Sequence, residues 1–124
     1  MPSPDEMIAV VEAYVDGFAR EDVAALADLF AEDAVHEDPV GTLARHGQGA
    51  IAEFLAGSVS TGAKLTIDGP YRIGPDYIAF PMHVNLRWEG HPMRVEVIDV
   101  FHFNQAGKIR HLLAYFGAGN FVPA

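Results

Sequence analysis

Val95-Glu96-Val97-Ile98-Asp99-Val100-Phe101-His102-Phe103 is the stretch on which the fold turns. Its β-branched and aromatic residues predict a strand. Side chains alternate between the two faces of a strand. One face carries Val95, Val97, Asp99, Phe101 and Phe103, and the other carries Glu96, Ile98, Val100 and His102. The first face reads as the core side, and Asp99 is its only polar member. Burial disfavours a charged carboxylate. Either a cation or a set of donors compensates Asp99, or it stays protonated and donates a hydrogen bond. A neutral buried acid is a device by which enzymes hold developing negative charge. The plainer alternative is an aspartate at an edge, a bulge or a salt bridge.

Outward from this strand the chain alternates cleanly. In Ile78 to Trp88 the even positions Ile78, Phe80, Met82, Val84, Leu86 and Trp88 are all apolar. The odd positions include His83, Asn85 and Arg87, which predicts one core face and one wet or interfacial face. Glu89-Gly90 turns this strand into the central one. Asn104-Gln105-Ala106-Gly107 turns the central strand into a last one, Lys108 to Phe116. A Gly-rich tail, 117–124, follows. Upstream, Lys64 to Ile73 reads as a strand bent at Gly69-Pro70.

The first half reads as helical. Ser3-Pro4-Asp5-Glu6 is a helix start with a capping box. The helix should reach about Arg20 and bury Met7, Val11, Tyr14, Val15 and Phe18. Tyr14 then lies inside, and its hydroxyl needs a partner; a core tyrosine bonded to a backbone carbonyl is the ordinary case. Glu21-Asp22 caps a second helix with Val23, Leu26, Leu29 and Phe30 inward, ending at Ala31 to Ala34. Val35 to Asp38 is extended, because Pro39 keeps Asp38 out of the helical region. Asp-Pro by itself is an ordinary turn signal. A third helix runs from Ala50 to about Gly57.

Three helices followed by long strands predict an α+β fold for residues 1–124 as one domain. The expected form is a curved mixed or antiparallel sheet with the helices over its concave face. Such a cone leaves an apolar cavity between the layers.

Composition narrows the function. The 124 residues carry 17 acidic and 8 basic side chains, a net charge of −9, which argues against nucleic acid or an anionic membrane as partner. There is no cysteine, hence no thiol chemistry. The first residues lack a secretion-signal pattern, and no apolar run approaches the roughly 18 residues of a membrane span. A cytoplasmic protein is the expectation. The six histidines show no metal-ligand spacing, so no metal is expected. No phosphate-binding glycine loop or nucleophile elbow occurs, and no cofactor is called for. What remains is Tyr14, Asp38 and Asp99. Two neutral donors and one ionised carboxylate are the equipment for enolisation, with a base beside the reacting carbon and donors on the oxygen.

At these residues the chain resembles the ketosteroid isomerases (steroid Δ-isomerases) of the cone-shaped NTF2-like fold, the known case of a neutral aspartic acid in an oxyanion hole. Leu29 to Ala34 and Glu37-Asp38-Pro39-Val40-Gly41 are similar to the segment around that family's general base. Val97 to Phe103 is similar to its oxyanion strand, Gly107-Lys108-Ile109 to the hairpin after it, and Tyr14 falls at its oxyanion tyrosine. The resemblance implies Asp38 as base, Tyr14 and protonated Asp99 as donors, and a 3-oxo-Δ5-steroid as substrate. It also implies cavity walls of Phe54, Met82, Val84, Leu86, Phe101, Leu112 and Phe116, with Pro39 fixing the Asp38 loop. Phe30 and Leu55 stand where the family commonly has tyrosines supporting the oxyanion tyrosine. A homodimer through the sheet is implied as well. The same scaffold hosts cyclases, dehydratases and non-catalytic binders of apolar ligands, which are the alternatives.

Overall fold

In the computed structural model, which describes residues 1–124, helix α1 spans Pro4–Ala19. Ser3 accepts from the Glu6 N–H at 3.2 Å, and the Glu6 carboxylate accepts from the Ser3 N–H at 2.8 Å, closing the capping box. Met7, Val11, Tyr14 and Phe18 form its buried face. Gly17 sits where the second helix, α2 (Val23–Asp28), crosses. A Cβ there would lie 2.6 Å from Leu26 Cδ2, so only glycine permits the approach.

Helix α2 stops at Asp28, short of the expected Ala34, and Phe30–Glu37 is strand β1. The cause is tertiary. β1 pairs in parallel with β7 (Ile109–Tyr115), matching Phe30 to Ile109 and Val35 to His111. The Ile109 N–H donates to Leu29 O at 2.9 Å at the start of that ladder. Partners nearly eighty residues away outweigh the helix preference of Ala31-Glu32-Asp33-Ala34. This one parallel pair makes the sheet mixed.

Strand β2 (Arg45–His46) pairs with β1, a segment the sequence reading left unassigned. Helix α3 is longer than expected, Gln48–Ser60. The predicted bent strand is two pieces, β3 (Lys64–Ile67) and β4 (Arg72–Ile73), both on β5 (Tyr77–Trp88). Glu89 and Gly90, with φ of 51° and 81°, make the two-residue turn into β6 (His91–Phe103). The Gly-rich tail forms β8 (Phe121–Pro123) along Met93–Val95 of β6. Strand order is β2-β1-β7-β6-β5-β3, with β4 on β5 and β8 on β6. The core includes Phe30, Phe80, Phe101, Phe103, Ile109 and Leu112. No helix is long and apolar enough to cross a membrane.

Candidate active site

Asp99 sits in the middle of β6 with Phe80 of β5 on one side and Ala114 of β7 on the other. It is therefore on no edge. The bulge between β6 and β7 falls at His102 and Phe103, not here. Asp99 is 1% exposed, and its Oδ1 has no hydrogen-bond partner in the protein. Edge, bulge and salt bridge are all set aside, leaving a carboxyl group buried among hydrocarbon. Burial first, and the charge of Asp38 second, hold its pKa well above the usual carboxylate range.

Tyr14 reaches the same place from α1. Its ring packs edge-on against Phe18 and Phe101, with centroids 5.2 Å away in each case. Burial, then Asp99, then Asp38 push its hydroxyl well above 10. Phe30 and Leu55 are both buried hydrocarbon, so neither offers the phenol a hydroxyl partner.

Asp38 lies on the loop that leaves β1. The loop is tied down two residues later, where the Val40 N–H donates to Ala114 O at 2.8 Å. Ala114 is the cross-strand neighbour of Asp99, so this bond brings the Asp38 loop to the Asp99 level of the sheet. Pro39 follows through a cis peptide bond, and its carbonyl accepts from the Thr42 N–H and hydroxyl. Part of Asp38 remains exposed. Burial against the cavity walls pushes its carboxyl up to about 6, and Arg45 pulls the other way. The two aspartates thus occupy different surroundings. No cation offsets the burial of Asp99, whereas Arg45 acts on Asp38.

A cavity of about 500 Å³ opens from this point, with Tyr14, Asp38 and Asp99 on its wall. Of the expected wall residues, Phe54, Met82, Val84, Leu86 and Phe116 line it. Phe101 and Leu112 do not; both are fully buried. They lie opposite each other in the sheet two positions beyond Asp99, behind the Tyr14 ring, where the cavity has already closed. Pro39 is absent from the wall too; its part is in the turn that carries Asp38. Leu55, Val95, Val97, Trp88 and Phe121 also contribute.

Two polar neighbours complete the site: Arg45, which nothing in the sequence singled out, and His36, which the sequence offers only as a face-mate of Asp38 on an extended segment, too little for a metal site. The Arg45 guanidinium lies 3.8 Å from the Phe54 ring centroid and has a buried Nη1 without a partner. His36 is fully buried, its ring 4.9 Å from Phe54, and neither ring nitrogen has a partner. Burial, then Arg45, depresses its pKa to about 4, which keeps it neutral at pH 7. Alternation along β1 offered a weak signal for His36; nothing local marked Arg45. No three His, Asp or Glu side chains converge closely enough to share a metal ion.

The SnoaL-like domain family matches residues 11–112. A steroid Delta-isomerase of Nocardioides simplex is 35% identical over 120 residues, 94% of each chain. Two solved structures share the fold at low identity. One is the epoxide hydrolase/cyclase-like enzyme SalBIII of pyran ring formation in salinomycin, with a TM-score of 0.92, 22% identity and full coverage of both chains. The other is RV0760c of Mycobacterium tuberculosis in complex with estradiol-17beta-hemisuccinate. Its TM-score is 0.87 at 19% identity, over 94% of this chain and 98% of that one. With a family match over most of its length and that relative over 94% of it, this chain belongs to the SnoaL-like family of the NTF2-like fold, on the ketosteroid isomerase branch.

Proposed function

We propose that the chain is a cofactor-independent steroid Δ-isomerase acting on 3-oxo-Δ5-steroids. The observation that carries this is the meeting of Tyr14, Asp38 and Asp99 on the wall of one apolar cavity, with both aspartate pKa values raised. Ionised Asp38 takes a proton from the carbon between carbonyl and double bond. The electron pair moves onto the carbonyl oxygen, giving a dienolate that accepts hydrogen bonds from Tyr14 and neutral Asp99. Asp38 then returns the same proton two carbons further on. The double bond is now conjugated, and no atom is gained or lost. The 35% identical steroid Delta-isomerase supports the reading.

The test is growth of enone absorbance when the protein meets a 3-oxo-Δ5-steroid. The rate should depend on pH through Asp38, which works only when ionised. With a pKa of about 6, kcat/KM should be level above pH 7 and fall about tenfold per unit well below 6. A protein that binds the steroid yet yields no enone at pH 8 would not be this isomerase.

We also propose that the chain is a homodimer through the outer face of the sheet. Ile98 and Tyr115 stand side by side there, 51% and 47% exposed, with Val100 and Leu113 next to them. Light scattering should give about twice the 13.4 kDa chain mass, and Ile98→Lys should lower it. The mass of one chain at micromolar concentration would remove the dimer.

A further inference from the structure

The cavity continues past the length of a four-ring ketone. Cover along the inner face of β5 falls away in one direction. Phe80 and Met82 are buried, Val84 and Leu86 half-buried, and Trp88 is 53% exposed yet still on the wall. The register measures the distance. Asp99 stands opposite Phe80, and Trp88 lies at 88 − 80 = 8 positions further along β5. That is about 26 Å of strand at 3.3 Å per residue. A rigid four-ring skeleton covers roughly three such positions, about 10 Å. With its ketone oxygen against Tyr14 and Asp99, its distal ring reaches about the level where Val84 faces Val95.

What lies beyond is hydrocarbon on the sheet side. Leu86 and Trp88 come from β5, and β8 brings Phe121, whose ring meets Trp88 edge-on at 6.2 Å. The polar wall residues Glu53, Ser58 and Thr61 belong to α3 and the turn after it, and the Thr61 hydroxyl already donates to Ser58 O at 2.6 Å. Short of the Trp88 indole N–H at the far end, a polar group on the distal ring finds no donor along the sheet, whereas an aliphatic chain finds an apolar shelf from Leu86 to Phe121.

We infer that the outer cavity wall of Leu86, Trp88 and Phe121 binds an aliphatic side chain on the distal ring. The preferred substrates are then 3-oxo-Δ5-steroids that carry such a chain. The placement of the ketone rests on the isomerase reading; the wall itself does not.

Trp88 is the only tryptophan, so its emission reports this wall directly. The probes are 5α-androstan-3-one and 5α-cholan-3-one. Both lack the double bond and cannot isomerise, and they differ by one branched aliphatic chain. The chain-bearing ketone should shift Trp88 emission to the blue and bind about tenfold or more tighter, the effect of a few buried methylenes. Calorimetric titration of Trp88→Ala should show that advantage reduced. In turnover, the kcat/KM ratio between the matching Δ5 ketones should favour the chain by a similar factor, mostly through KM, and should shrink in the variant. Equal affinities with unmoved emission overturn the inference. A chain-specific emission shift without enone formation from either Δ5 ketone supports it and removes the isomerase reading instead.

Discussion

Asp38→Asn will stop isomerisation, leave steroid binding in place and make the folded protein more stable at pH 8. Asparagine matches the shape of aspartate but cannot take up the migrating proton. General bases contribute typically 10²–10⁴-fold, and the substitution should remove at least about 10³-fold of kcat, because no other carboxylate is free to substitute. Glu53 is the only other acid on the cavity wall besides Asp99, and it sits on the exposed flank of α3. The steroid itself is held by hydrocarbon, so Kd should move by no more than a few-fold. Turnover within tenfold of wild type would end the case for Asp38 as base.

The stability change has a definite sign. Burial raises the Asp38 pKa from 3.8 to about 6. Between those values the folded state holds a proton that the unfolded state has released, so stability falls as pH rises across the interval. Below 3.8 the folded state carries no penalty from this group; above 6 it carries all of it. At 1.36 kcal/mol per unit the full penalty is about 3 kcal/mol, and partial exposure reduces it toward ~1. Asparagine escapes it. The variant should therefore unfold at higher urea than wild type at pH 8, with the gap narrowing toward pH 4. His36, whose pKa falls to about 4, gives wild type and variant alike an opposite slope, destabilising below about 6.5, and cancels in the comparison. A gap that widened toward acid would mean that Asp38 is stabilised as a carboxylate in the fold.

The residues of the candidate site stood out in the sequence more plainly than some of the strands that carry them. Asp99 announces itself because strand alternation is local: five apolar-or-acid positions at spacing two leave one polar residue on a core face. The same period made β5 plain. Strand β1 was hidden because Ala31-Glu32-Asp33-Ala34 has no strand character of its own, and only the distant ladder of β7 makes it extended. Strand β8 was hidden by the glycines before it, although Phe121-Val122 is an apolar pair that finds Met93–Val95. Phe101 and Leu112 share the inward face of their strands with true wall residues. What excludes them is that Tyr14 from α1 closes the cavity one level earlier. Alternation gives the face of a residue, not its depth along the cone. Arg45 shows the limit from the other side: its part beside Asp38 depends on the β1–β2 pairing and on Phe54 beneath it.

Tyr14→Phe and Asp99→Leu should each cost about 10²–10³-fold in kcat with KM little changed, since a donor to the dienolate acts mainly after the proton has moved. Leucine at 99 should fold, because it replaces an acid whose Oδ1 is already unpartnered among hydrocarbon. The more telling variant is Asp99→Asn. An amide donates a hydrogen bond as the neutral acid does, so this variant should keep more activity than leucine. It also cannot ionise. In wild type, alkaline pH should switch off catalysis as Asp99 loses its proton, because an ionised Asp99 repels the dienolate instead of binding it. The direction of its shift, upward through burial and then through Asp38, places that alkaline limb well above the usual carboxylate range. Asp99→Asn should move the limb further upward, to where Tyr14 or the substrate limits it, and leave the acid limb of Asp38 near 6. An alkaline limb identical in wild type and Asp99→Asn would show that Asp99 is not the group that titrates there. A wild-type rate in Asp99→Leu would take Asp99 out of the mechanism altogether. Because both donors meet one oxygen, the double variant Tyr14→Phe, Asp99→Leu should lose less than the product of the single losses; strict multiplication would mean that they act on separate atoms.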